Sequence, residues 1–227
     1  MNGILYGVGV GPGDPGLMTL EAVRLIKEIN VIAVPGEEPK DSAAYKTALA
    51  AVGELEGKTI LSLPSPMTKD ERLMADAHEK GARMIEEYLA RGESAVYLTL
   101  GDPSIYSTFG YIRDIVARDG FNTRTVSGVT SVSAAAARLN ISLARRDEPV
   151  HIIPAAYDEI FELSEKGTYV FMKPAKDIGA IKEKLKKSGR RAAAVTNCGM
   201  DGERVYESID EIPDDAGYFT VIISKRD

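Results

Sequence analysis

The sequence predicts an α/β protein built from two small α/β domains with mostly parallel sheets. Apolar, β-rich segments alternate with amphipathic helical segments along the chain, which is the pattern of βαβ units. About nine or ten strands in 227 residues fit two small sheets better than one large sheet. The join is expected near residues 124–130, which gives an N-terminal domain 1–126 and a C-terminal domain 127–227.

The individual elements follow from apolar spacing and from the residues that interrupt it. Short apolar runs bounded by Gly, Pro or polar residues predict strands at 4–10, 31–35, 59–64, 94–100, 123–127, 150–155, 168–174, 192–199 and 217–224. Apolar residues spaced three and four apart predict helices at 20–29, 42–53, 69–90, 111–120, 131–139 and 178–189. Thr19 is expected to cap the first helix, and His78, among charged neighbours, is expected on a solvated face.

Composition excludes several classes of function. The net charge of −6 disfavours binding to nucleic acid or to an anionic membrane surface. The single Cys198 excludes a disulfide framework and a CxxC metal site, and the only histidines, His78 and His151, lie far apart in sequence, so no metal site is expected. The N-terminus lacks a basic segment followed by a long apolar core, and no 18-residue apolar run occurs. We therefore expect a cytoplasmic protein.

The first loop, GPGDPG at 11–16, has the G-x-G-x-x-G spacing of dinucleotide-binding enzymes. A strand precedes it, a helix follows, and Glu37 and Glu38 stand where a ribose-binding acid belongs, so a nicotinamide-dependent oxidoreductase is one interpretation. Pro12 and Pro15 oppose it, because they lack the backbone N–H groups that such loops point at a pyrophosphate. The loop is expected to be stiff, poor in donors and suited to close approach of a flat or neutral ligand.

Two further loops share this character. In YLTLGDPSIYSTFGY, at 97–111, a buried strand again ends in Gly-Asp-Pro and is followed by hydroxyl-bearing residues. SGVTSVSAAAA, at 127–137, opens a helix with small residues that permit close approach. Because carboxyl ends of parallel strands share one sheet edge, the two Gly-Asp-Pro loops should converge there, where open α/β sheets bind ligands.

Taken together, GVGVGPGDPGLMTLEAV, LTLGDPSIYST, SGVTSVSAAAARL, YVFMKP and NCG resemble the tetrapyrrole (corrin/porphyrin) methyltransferases, from Leu5 to about Ser224. Within that family the sequences of these motifs are most similar to those of the precorrin-2/cobalt-factor II C(20)-methyltransferases. The resemblance implies methylation of a tetrapyrrole of cobalamin synthesis at carbon 20, with S-adenosylmethionine as methyl donor. It also implies a cofactor cleft between the two domains and a homodimer.

The resemblance also assigns residues to the cofactor. These are Pro12, Leu100, Gly101, Asp102, Ile105, Thr130, Ser131, Met172 and Gly199. Some siroheme-type relatives carry an Asp, proposed as a base, at the end of the second strand, but this chain has Pro35 there. Tyr106 and Asp102 lie in the loop where they could remove the proton of the methylated carbon, and they are the catalytic candidates.

The substrate of such an enzyme carries eight carboxylates, which an acidic protein must meet with local cations. Arg145, Arg146 and Lys173 are the candidates for these contacts. Asp14, which belongs to the first loop motif, is assigned either to the substrate or to capping of the turn.

Other functions stay open at this point. Within the superfamily they are methylation of another corrin ring position or of uroporphyrinogen, diphthine synthesis, and ribose methylation of rRNA, the last disfavoured by the negative net charge. From other classes come the nicotinamide-dependent oxidoreductase and a nucleotide-binding module without catalysis.

Overall fold

The computed structural model describes residues 2–66, 68, 70–154, 163, 166–174 and 178–226. The predicted element ends at Lys69 and Ala155 lie outside the described residues. The chain divides into two compact units, Met1–Thr130 and Ser131–Asp227.

The first unit is a parallel five-stranded sheet with helices on both faces. Its strands are β1 (Ile4–Gly9), β2 (Val31–Pro35), β3 (Thr59–Leu63), β4 (Ala95–Thr99) and β5 (Asn122–Val126), in the order β3-β2-β4-β1-β5. Every pairing in this sheet is parallel, as the sequence predicted. Its helices are α1 (Leu20–Glu28), α2 (Ala43–Val52), α3 (Glu71–Leu89) and α4 (Phe109–Arg118).

Side chains alternate between the two faces of this sheet, so each face has its own apolar core. Val96 and Leu98 of β4 pack with residues of α1 and α2. Ala95 and Tyr97, their neighbours in sequence, pack with residues of α3 and α4 on the opposite face. The strands are therefore buried on both sides, which explains why they read as continuous apolar runs.

Helix caps in this unit bear out one prediction, while a buried histidine corrects another. Thr19 caps α1, because its hydroxyl accepts a hydrogen bond from Ala22 N at 3.2 Å. The expectation that His78 is solvated is wrong: its side chain is buried on α3 and stacks on Tyr111 of α4, with ring centroids 4.8 Å apart. The charged neighbours of His78 in sequence point elsewhere on the helix, which sequence proximity could not show.

The second unit also contains a five-stranded sheet. Its strands are β6 (Val150–Pro154), β7 (Thr168–Met172), β8 (Arg191–Thr196), β9 (Arg204–Tyr206) and β10 (Thr220–Lys225), in the order β6-β7-β10-β8-β9. Among its described residues the helices are α5 (Ser131–Arg138) and α6 (Ile178–Lys187). The short β9 was not predicted from the sequence.

The prediction of a mostly parallel second sheet is wrong. Only β6 and β7 pair in parallel, whereas β10 pairs antiparallel with both β7 and β8, and β8 pairs antiparallel with β9. The β7–α6–β8 segment does place two strands in the same direction, as its pattern predicts. The last strand then enters between them in the opposite direction, which alternation along the chain cannot reveal.

Membrane-spanning potential can be judged for the described residues. No helix among them combines the length and the apolar character needed to cross a bilayer.

Candidate cofactor and substrate site

Three loops meet at the carboxyl edge of the first sheet. They follow strands β4, β1 and β5, which are neighbours in the order β3-β2-β4-β1-β5. Gly9 pairs in register with Thr99, and Val8 pairs with Val126, so the three strands end at the same level. The predicted convergence of the two Gly-Asp-Pro loops is confirmed, and the SGVT segment joins them.

The GPGDPG and LGDP loops are bonded directly to each other. Gly11 N–H donates to Gly101 O at 3.3 Å, and Gly101 N–H donates to Gly11 O at 2.7 Å. Both glycines have left-handed backbone, with φ of +76° and +80°, which glycine adopts without steric cost. The two loops therefore form one rigid backbone platform rather than two independent turns.

The third loop closes against this platform by contact between backbones. A Cβ on Gly128 would lie 2.2 Å from Gly101 O, and one on Gly9 would lie 2.7 Å from the Cα of Gly128. Only glycine allows these distances. Gly9 and Gly128 are therefore determinants of the site that the motif reading missed, although their places in GVGVG and SGVT were visible in the sequence.

Asp102 holds the second loop to the third. Its Oδ1 accepts from Ser104 N at 2.8 Å and from the Ser104 hydroxyl, while its Oδ2 accepts from Gly128 N at 2.9 Å. Burial raises the pKa of Asp102, but the hydrogen bonds from Ser104 and Gly128 outweigh it and hold that pKa below the ordinary value. This carboxylate is ionised and engaged on both oxygens, which suits positioning more than proton removal.

Several backbone donors of the loops are used within the protein. Besides the donors that bind Gly11, Gly101 and Asp102, Gly16 N–H donates to Asp14 Oδ1 at 2.8 Å. Asp14 thereby caps the short 3-10 turn Pro15–Leu17, and the prolines of the loops have no N–H to offer. The N–H groups engaged in these bonds are not available to an anion.

The remaining candidates of the first unit lie on or beside this platform. Pro12 is buried, while Leu100 and Ile105 are partly buried, and Ile105 N–H closes a turn onto Asp102 O. Tyr106 follows with φ of +48°, a left-handed conformation that is costly for a bulky residue, and its side chain is 46% exposed. Thr130 ends the unit.

The candidates of the second unit are divided between the two ends of the strands of its sheet. Met172 ends β7 and Gly199 follows β8, and since both strands run antiparallel to β10, these two residues lie at the same edge. Lys173 directly follows Met172. Gly199 N–H donates to Glu203 Oε2 at 2.8 Å, so a ligand at Gly199 would meet its carbonyl or Cα.

Arg145 lies at the opposite end of the strands of the same sheet. It lines a surface pocket of about 580 Å³ together with Lys225, which is the last residue of β10. Met172, in contrast, pairs with Val221 near the start of β10. Four residues of strand separate the two levels, about 14 Å. Arg146 is exposed beside Arg145. The structure thus brings Lys173, but neither arginine, to the edge that carries Met172. Ser131 is the first residue of α5.

No cluster of metal-ligating side chains occurs in the part of the chain that the structure describes.

The sequence is similar to a family of known proteins. The family model for tetrapyrrole (corrin/porphyrin) methylases matches residues 4–213. This chain belongs to that family. A Methanocaldococcus jannaschii protein named "Probable cobalt-precorrin-2 C(20)-methyltransferase" is 36% identical over 170 residues, 74% of this chain and 71% of that protein. The cobalt-precorrin-2 C(20)-methyltransferase of Salmonella typhimurium is 27% identical over 100% of this chain and 98% of its own.

Solved structures share the fold of this methylase. A cobalt precorrin-4 methyltransferase, described as a cobalamin biosynthetic enzyme, has a TM-score of 0.76 at 18% identity over 97% of this chain and 94% of its own. The uroporphyrin-III C-methyltransferase of Thermus thermophilus, solved with S-adenosyl homocysteine, has a TM-score of 0.69 at 20% identity over 99% and 98%. At these identities the likeness concerns the fold.

The residues of this methylase fit S-adenosylmethionine better than a dinucleotide. S-adenosylmethionine has no phosphate and so needs no cradle of backbone donors, and the N–H groups of Gly11, Gly101 and Gly128 are already engaged within the protein. The strand order also opposes a dinucleotide. In the dinucleotide-binding fold the acid follows a strand adjacent to the first, whereas here β4 lies between β1 and β2. Strand β2, which Glu37 and Glu38 follow, therefore lies two strand spacings, about 10 Å, from β1, which the GPGDPG loop follows.

Proposed function

We propose that this protein is an S-adenosylmethionine-dependent C-methyltransferase that methylates carbon 20 of a cobalamin precursor, precorrin-2 or cobalt-factor II. The observation that carries the proposal is the Gly11–Gly101 platform, in which the N–H groups of both glycines are engaged by the opposite loop, in a member of the tetrapyrrole methylases. The C(20) position is supported by the names of the Methanocaldococcus and Salmonella relatives.

The proposed cofactor residues come from both units of the chain. Their shared feature is that they offer backbone and apolar surface rather than charge. They are Pro12, Leu100, Gly101, Ile105 and Thr130 of the first unit and Ser131, Met172 and Gly199 of the second. Asp102 supports these residues indirectly, because its carboxylate fixes the loop that carries Gly101 and Ile105.

Catalysis is proposed to rest on alignment and exclusion of water. Bound S-adenosylmethionine would supply a methyl group activated by a positively charged sulfur, and the meso carbon of a reduced tetrapyrrole is nucleophilic. The rigid platform would hold the donor in line with that carbon, which removes much of the entropic part of the barrier. The apolar surface of Pro12, Leu100 and Ile105 would keep water out.

The proton of the methylated carbon must then leave. Asp102 is a poor acceptor, because both its oxygens are occupied and its pKa is lowered. Tyr106 lies in the same loop with an exposed side chain, so its hydroxyl oxygen could take the proton while its own proton passes to solvent, and it is the better candidate. Its left-handed backbone is consistent with a position held for function rather than for stability.

Isothermal titration calorimetry with S-adenosylhomocysteine and with NAD separates the proposed class from its main rival. We expect S-adenosylhomocysteine to bind and NAD to give no heat. Adding phosphate to the buffer should leave the affinity unchanged, since S-adenosylhomocysteine carries no phosphate for which it could compete. Tight NAD binding without S-adenosylhomocysteine binding would overturn the proposal.

A homodimeric state and a cytoplasmic location are part of the proposal as well. Both come from the resemblance and the composition rather than from contacts in the chain. Sedimentation velocity at several protein concentrations tests the first, and fractionation of the source cells tests the second.

A further inference from the structure

Two adjacent aromatic side chains are exposed at the edge of the second sheet that carries Met172. Tyr218 and Phe219 immediately precede β10 and are 44% and 45% exposed. Their rings meet edge to face, with centroids 5.3 Å apart. Such an exposed aromatic pair has an energetic cost in water, which indicates that it serves an interaction.

The turn that presents these rings is held rigidly. The hydroxyl of the buried Thr220 lies 2.9 Å from Gly217 O and 3.0 Å from Thr196 Oγ1. Asn197 N–H donates to Phe219 O at 2.9 Å, which ties the turn to the end of β8. Rigid aromatic side chains lose little conformational entropy when a ligand binds.

A cation lies beside the pair. The Nζ of Lys173 is 5.8 Å from the centroid of the Tyr218 ring, within the range of a cation–π interaction. Lys173 has φ of +54°, and this unusual backbone turns the chain sharply after Met172. A long lysine side chain otherwise samples many rotamers, so the contact with Tyr218 restricts where the ammonium group lies.

We propose that Lys173, Tyr218 and Phe219 form a substrate-binding lip in which Tyr218 positions the ammonium of Lys173 against a carboxylate of the tetrapyrrole. This inference rests on the proposed function. A macrocycle rimmed by carboxylates offers an anion to a cation that an aromatic ring holds in place. Phe219 supports the Tyr218 ring from its edge. Tyr218 is thus a positioning residue, and Lys173 is the residue that touches the substrate.

The location of the lip favours Lys173 over the other basic candidates. Lys173 follows Met172, which we assign to the cofactor, whereas Arg145 lies with Lys225 at the far end of β10.

The test compares four variants with the wild-type full chain: Lys173→Gln, Lys173→Arg, Tyr218→Leu and Tyr218→Phe. Lys187→Gln is the matched control, because Lys187 is an exposed lysine of α6. Two readouts are used. One is steady-state methylation of precorrin-2, and the other is absorbance titration with uroporphyrin, an octacarboxylate macrocycle whose binding requires no turnover.

Lys173→Gln should raise KM and the uroporphyrin Kd about tenfold or more, with kcat and the affinity for S-adenosylhomocysteine unchanged. Lys173→Arg should restore most of the loss. Tyr218→Leu should raise both constants about two- to fivefold, whereas Tyr218→Phe, which keeps the ring, should resemble wild type. The Tyr218→Leu effect should vanish in the Lys173→Gln background, because Tyr218 acts through Lys173.

Three results would overturn the lip. These are unchanged constants in Lys173→Gln, an equal effect of Lys187→Gln, or a Tyr218→Leu effect that persists without Lys173. Failure of the wild type to methylate precorrin-2 is a different outcome. It would overturn the proposed function, and the uroporphyrin titration would still decide whether Lys173 binds a carboxylate.

Discussion

Gly11 and Gly101 exchange backbone hydrogen bonds, 3.3 Å from Gly11 N to Gly101 O and 2.7 Å in the reverse direction. This pair converts two turns far apart in sequence into one structure at the carboxyl edge of the first sheet. Gly9 and Gly128 complete it, because neither leaves room for a Cβ.

Substituting Gly128 by alanine should damage the platform. The new Cβ would lie 2.2 Å from Gly101 O, so the backbone of one loop must move. We expect a loss of about 2 kcal/mol or more in the free energy of unfolding and a marked loss of S-adenosylhomocysteine binding. Urea denaturation and calorimetry measure the two effects.

Gly110→Ala is the matched control for that substitution. Gly110 lies in α4, and a Cβ there would meet nothing within 4 Å. Alanine should raise the free energy of unfolding by about 0.5–1 kcal/mol without changing ligand affinity. If Gly128→Ala behaves like Gly110→Ala, the tight backbone contact does not matter to the site.

Asp102→Asn should remove a carboxylate that three donors stabilise. The amide nitrogen of asparagine would face an N–H of Ser104 or Gly128, and we expect a cost of about 2 kcal/mol at pH 7. The pKa of Asp102 is lower in the folded than in the unfolded state, so its contribution is fully present above its unfolded pKa and is lost as the pH falls through the folded pKa.

The stability difference between wild type and Asp102→Asn should therefore be constant near neutrality and shrink below about pH 4. Urea denaturation at several pH values measures it. Asp114→Asn, at an exposed aspartate of α4, is the control and should show no such difference. A difference that grows as the pH falls would contradict the assignment of Asp102 as a buried, ionised carboxylate.

Tyr106→Phe tests the proposed removal of the proton. The substitution deletes only the hydroxyl, so binding of S-adenosylhomocysteine should stay unchanged. We expect kcat for methyl transfer to fall about a hundredfold. Unchanged turnover would remove Tyr106 from the mechanism and leave proton removal to solvent or to the substrate.

His78 should make the fold sensitive to mild acid. Burial against Tyr111 lowers the pKa of His78 below its ordinary value of 6.5. The unfolded chain then binds a proton that the folded chain resists, so stability should fall as the pH drops through 6.5. His78→Phe, which keeps a stacked ring, should flatten this decline between pH 7 and 5.5 in thermal unfolding. An equally steep decline in the variant would place its origin elsewhere.

The sequence predicted local structure better than it predicted how distant segments combine. Apolar runs and the Thr19 cap fixed the strands and helices of the first unit because each signal lies within a few residues. The direction of β10 could not be predicted, since its partners β7 and β8 lie far back in the chain and a strand looks alike in either direction. The burial of His78 was missed because it depends on Tyr111 of another helix.

For the candidate site, too, the sequence indicated individual residues but not the contacts between distant segments. The motifs led to Pro12, Gly101 and Asp102, because close approach of backbone requires Gly and Pro at fixed spacing. They did not reveal that Asp102 spends its carboxylate on Ser104 and Gly128, nor that Tyr218 lies beside Lys173. Such contacts depend on the three-dimensional path of loops that share no local pattern.

The central claim is methyl transfer to carbon 20 of a cobalamin precursor. Incubation of the full chain with precorrin-2 or cobalt-factor II and S-adenosylmethionine carrying a ¹³C-labelled methyl group tests it directly by NMR. The account predicts one new labelled methyl group, bonded to carbon 20 of the macrocycle. A labelled methyl group at another ring position, or transfer to uroporphyrinogen but to neither precursor, would contradict it.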